Sequence, residues 1–80
     1  MEQMIAVLHD GALAQYSYEA KEKGVYVLWL QRYKGSKEQQ PPAMLVLHKE
    51  GRHWYSEGHQ QEMIADLGYA IEEQNRIYRA

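Results

Sequence analysis

One segment, Val25 to Tyr33, constrains the fold of this chain more than any other. It reads VYVLWLQRY between Gly24 and Lys34-Gly35-Ser36. Val, Tyr and Trp suit the pleated, half-buried surface of a strand, and the glycines on either side bound the run. Successive side chains of a strand alternate between its faces. Val25, Val27, Trp29, Gln31 and Tyr33 therefore point one way, and Tyr26, Leu28, Leu30 and Arg32 the other. Both faces are apolar. A strand with one wet face would alternate apolar with polar residues, so a sheet built around this one needs cover on both sides.

The rest of the chain supplies neighbours for that strand. Ala43 to His48 is a second apolar run behind Pro41-Pro42, with Ala43, Leu45 and Leu47 opposing Met44, Val46 and His48. Glu50-Gly51 marks a turn, and Arg52 to Glu57 reads as a short third strand, leaving residues 34 to 42 as a long polar loop. Upstream, Asp10-Gly11 is a hairpin signal between residues 3 to 9 and a strand over residues 13 to 20. Met1, Met4, Ile5, Leu8 and Ala12 also have helical spacing, but the hairpin is the preferred reading. The clearest helix spans residues 59 to 79, where Met63, Ile64, Leu67, Ile71, Gln74 and Tyr78 fall on one stripe. Glu62 near its start and Arg76 and Arg79 near its end match the helix dipole. Gly68 within the stripe costs about 1 kcal/mol of helix propensity, which either a close approach to the sheet or a bend in the helix would explain.

These elements predict a single α+β domain over residues 1 to 80. Its expected architecture is a small antiparallel sheet of roughly three to five strands, with one C-terminal amphipathic helix packed on one face. A chain this short has only a modest core, and without cysteine it has neither a disulfide nor a thiolate metal site to support it. One helix covers one sheet face. A two-fold partner chain is the economical cover for the other, so a homodimer, or a monomer whose second face docks onto another protein, is expected in preference to an N-terminal helix closing the layer. No apolar run reaches membrane-spanning length and the first residues lack a signal-peptide pattern, which points to a soluble, cytoplasmic protein with no membrane partner.

The aromatic composition bears on function: seven Tyr and two Trp, but no Phe. Tyr and Trp join a large apolar body to a polar tip, which suits half-buried surfaces that meet a partner. Charge is segregated as well. Residues 21 to 53 hold seven basic and three acidic residues, and residues 54 to 75 hold five acidic and no basic ones. Catalytic patterns are missing. None of Ser17, Ser36 and Ser56 lies in a nucleophile elbow, threonine is absent, and there is no phosphate loop or dinucleotide fingerprint. His53, Tyr55, Glu57 and His59 offer acid and base types close together, a grouping that chance readily supplies. The histidines His9, His48, His53 and His59 show no metal-ligand spacing, so no metal or other cofactor is expected.

The function that follows is non-enzymatic protein binding by an accessory or inhibitory module acting as a homodimer. Candidate contacts are Tyr33, Lys34 and Lys37 at the polar loop, Trp54 and Tyr55 on the last strand, and Glu62 and Asp66 on the acidic helix face. The alternative is nucleic-acid binding through the interleaved Tyr26, Trp29, Arg32, Tyr33, Lys34 and Lys37. Net acidity and aromatics divided between both sheet faces count against it.

Overall fold

A computed structural model describes residues 3–56 and 61–79, with side chains of the last segment described from Met63 to Arg76. Strands β1 (Gln3–His9), β2 (Ala12–Glu22), β3 (Val25–Tyr33), β4 (Met44–Glu50) and β5 (His53–Tyr55) precede helix α1 (Gln61–Arg79). The strands form one antiparallel sheet in chain order, β1-β2-β3-β4-β5. The expected α+β architecture is what the chain adopts, at the upper end of the expected strand number.

Local chemistry explains the chain reversals. Asp10 and Gly11 both take positive φ, 50° and 78°, the geometry of the tight turn that Asp-Gly favours between twisted strands. That turn sets the register of β1 on β2, from His9 opposite Ala12 to Gln3 opposite Tyr18. The loop after β3 holds one short 3-10 turn, Lys37–Gln39. It is tied down at its far end, where the Tyr16 hydroxyl donates to the Pro42 carbonyl at 2.7 Å.

The sheet curls around the helix. β1 and β5 lie at opposite ends of the strand order, yet both contact α1, as does β4. The middle of the sheet stands farther off, and long side chains from β2 and β3 fill the space. Tyr16 and Tyr18 from β2 and Leu28 from β3 are buried there with Leu45, Leu47, Ile64, Leu67 and Ile71. Full burial of each such side chain contributes about 1.5–3 kcal/mol.

Four of the seven tyrosines are therefore used in packing the core. Tyr16, Tyr18, Tyr26 and Tyr33 all belong to the helix side of the sheet. A phenol spans the deep centre of a curled sheet and still places its hydroxyl at the rim. Tyr18 donates to Gln3 Oε1 at 2.7 Å, and Tyr33 to the His9 carbonyl at 3.1 Å. Phe would fill the same volume without these bonds. Burial pushes the Tyr16 phenol well above its ordinary range.

Strict alternation fails once in β3. Tyr16 pairs with Leu30 and Gln15 with Arg32, so Gln31 is an extra residue, a β-bulge. Beyond it the faces exchange: Tyr33 joins the helix side and Arg32 the opposite side, the reverse of the assignment from simple alternation.

Candidate functional site

With α1 on one face of the sheet, the other face carries the side chains that alternation sends away from the core. Met4, Ser17, Trp29 and Met44 form one cross-strand row across four strands. Glu19, Val27 and Val46 form the next row, and Val25, His48 and Tyr55 the one after. Trp29, Val25, Val27 and Val46 are half-buried, while Met4 and Met44 are 46% and 53% exposed. Only Ser17 is sealed, receiving a hydrogen bond from Gln31 Nε2 at 2.9 Å. No described element covers this face.

A corner of the same face holds three stacked rings. His48 and His53 lie against Tyr55, with centroid separations of 5.1 and 5.9 Å. His48 and His53, on adjacent strands across the Glu50-Gly51 turn, are thus brought together through a shared tyrosine. Among the described residues no cluster of three or more His, Asp or Glu could hold a metal ion.

The two flanks of α1 differ. Toward β5, Gly68 packs directly beneath the indole of Trp54, and a Cβ at position 68 would overlap the ring. The close approach that Gly68 allowed is therefore made. Trp54 Nε1 donates to Glu72 Oε1 at 2.9 Å, and Lys49 Nζ lies 3.0 Å from the same oxygen and 5.5 Å above the indole. The indole N–H, followed by Lys49, holds the Glu72 carboxyl below its ordinary range. Toward β1 the helix and strand instead enclose an open groove of about 680 Å³. Its floor is the strand from Met4 to Leu8, and Asp66, Tyr69, Ala70 and Glu73 stand along its wall.

The candidate contact residues are distributed over several surfaces. Trp54 is buried in the core and Tyr55 faces the opposite side of the sheet, 37% exposed. Tyr33 is half-buried with its hydroxyl committed to His9, while Lys34 and Lys37 are exposed beyond the end of β3. Asp66 is exposed on the groove wall. The Glu62 side chain, Glu57, His59 and the Tyr78 side chain lie outside the described residues, as does the start expected for the helix at residue 59.

Sequence reasoning missed β1 as a surface. Its signal was present: Gln3 to His9 carries no Asp, Glu, Lys, Arg or Pro, although it begins a meander and so takes an edge. Tyr69, 64% exposed beside that edge, was missed because it falls off the buried stripe of α1. Among the described residues no helix is long and apolar enough to cross a membrane. Comparison with protein-family models, curated proteins and solved structures found no match.

Proposed function

We propose that this chain is a non-enzymatic protein-binding module, accessory or inhibitory in role, that acts as a homodimer through the helix-free face of its sheet. One observation carries the reading: Met4, Trp29 and Met44 place large apolar side chains in one row across that face, broken by the sealed Ser17. Aromatic and Met side chains are enriched at protein interfaces, and Trp is a frequent anchor.

The charges beside the row favour a second copy as the cover. Arg32 lies on one side of the row and Glu19 on the other. A two-fold axis along the row brings Arg32 toward the partner's Glu19 and repeats the contact by symmetry. Glu19 now lies 3.3 Å from Lys21 in an exposed pair, which is weak enough to exchange partners. Nucleic-acid binding has less support. Tyr26 and Tyr33 belong to the helix side, apart from Trp29 and Arg32, and Lys34 and Lys37 stand in the loop.

Light scattering across about two decades of concentration tests the dimer. The expected mass is that of two chains, falling to one chain in Met44→Lys. That variant should keep its fold because Met44 is half exposed. A single-chain mass for the unaltered protein throughout the range would overturn the homodimer.

A further inference from the structure

We propose that the open edge of β1 receives a strand from another protein, an extended peptide that alternates apolar side chains and carries at least one Lys or Arg. This extends the protein-binding reading to a second surface and does not require the sheet-face dimer.

The backbone supplies the first argument. Among the described residues β1 pairs only with β2, so its other edge presents main-chain N–H and C=O groups over a seven-residue strand. Proteins commonly protect such an edge with charge, proline, a bulge, very short length, or a covering helix or loop. β1 has none of the first four, and α1, which packs against it, leaves a groove open along the strand. Its register on β2 is unbroken from Gln3 to His9, and its sequence, QMIAVLH, carries no Lys, Arg, Asp or Glu. The opposite edge, β5, is only three residues long. An uncovered strand with the composition of β1 invites uncontrolled pairing, which a specific partner would prevent.

The groove supplies the second argument. Every residue from Met4 to Leu8 lines it, although Ile5 and Val7 point to the core side and Met4, Ala6 and Leu8 to the other. A surface lined by both parities of one strand is the strand's edge. That is where an added strand lies, with its alternate side chains directed to the two sides. Tyr69 offers an exposed aromatic ring on the helical wall for one of them.

Charge selects the occupant. Among the described residues the charged lining is Asp66 and Glu73, with no Lys or Arg. Glu73 is held by Arg76, 2.6 Å away, whereas Asp66 is exposed with no ion-pair partner among the described residues. A second copy pairing β1 on β1 would bring the partner's Asp66 and the partner's Glu73 against their counterparts, a like-charge juxtaposition. A foreign strand with a cation meets the wall favourably.

The test begins with random twelve-residue peptides displayed on phage and selected against the whole chain. Selected sequences should alternate apolar residues, include Lys or Arg, and exclude central Pro. Synthetic versions should lose binding at least tenfold when alternate residues on one backbone edge are N-methylated, and little when the other edge is methylated. Asp66→Lys should weaken binding by about threefold to tenfold, the scale of an exposed charge pair converted to its reversal. Measurements on Met44→Lys in parallel separate this surface from the sheet face. Selection of no peptide, or of peptides rich in Asp and Glu, would overturn the proposal. So would binding that ignores N-methylation on both edges or survives Asp66→Lys unchanged.

Discussion

Along the flank of α1 that faces β5, Gly68 lets an indole lie against the helix, and Glu72 takes both the indole N–H and the Lys49 ammonium. Along the flank that faces β1, the same helix also contacts the strand but leaves a groove of about 680 Å³ beside it. β5 is only three residues long but is anchored by Trp54; β1 is seven residues long and exposes its edge. The difference shows how a small curled sheet can interlock closely with its helix through one indole and still leave an open groove along its other edge. Substitutions at the two flanks should reveal the asymmetry.

The largest effect belongs to Trp54→Ala. Removing a buried aromatic side chain costs about 3–5 kcal/mol, a large share of the total for a small domain. Tyr69→Ala, on an exposed ring above the groove, should change stability by no more than about 0.5 kcal/mol. Urea unfolding of both variants measures the contrast, and comparable losses would break it.

Gly68→Ala sharpens the comparison because two principles oppose each other. Helix propensity favours Ala by about 1 kcal/mol, but an added methyl must displace the Trp54 indole, and overpacking costs about 1–3 kcal/mol. With the added methyl overlapping the ring, overpacking should win, giving a net loss of up to about 2 kcal/mol by the same balance. Ala70→Leu adds more volume but projects it into the groove, so it should be nearly neutral. A stabilised Gly68→Ala variant would show that the β5 flank yields more easily than its geometry implies.

A smaller loss is expected where β1 is tied back to the core. Tyr33→Phe deletes the hydroxyl that donates to the His9 carbonyl and should cost about 0.5–1.5 kcal/mol. Amide exchange should quicken at the His9 end of β1 more than in β4. Uniform quickening across the sheet would place the role of that bond elsewhere.

The central strand, the Asp10-Gly11 hairpin and the buried helical stripe were legible because each rests on local periodicity or turn chemistry. The bulge at Gln31 was not. No residue type announces it, and only the register of β2 on β3 shows that Arg32 and Tyr33 exchange faces. The core positions of Tyr16, Tyr18, Tyr26 and Tyr33 were not legible for a related reason. Their composition speaks of polar tips, but whether a hydroxyl meets solvent or a neighbouring backbone depends on how far the sheet curls. The close approach at Gly68 was legible as a cost needing a cause, while its partner, Trp54, emerged only with the tertiary fold. The groove required knowing both that β1 is an edge and that α1 runs beside it.

The smallest expected effect is on acidification, and it tests whether the polar part of the β5 flank contributes beyond the indole packing. Hydrogen bonds from Trp54 and then Lys49 lower the Glu72 pKa in the folded chain. A lowered folded-state pKa means that the unfolded chain binds the proton more readily. The contribution of Glu72 is therefore present above its unfolded pKa and disappears as pH falls through the lower folded value. Its side chain is 42% exposed, so solvent screening keeps the effect small. Glu72→Gln removes the titrating carboxyl while retaining an amide oxygen that can accept from the indole. Unfolding free energies of the two proteins should converge as pH falls through that window, with the parent more stable above it. A constant difference across the window would assign the Trp54 anchor to packing alone.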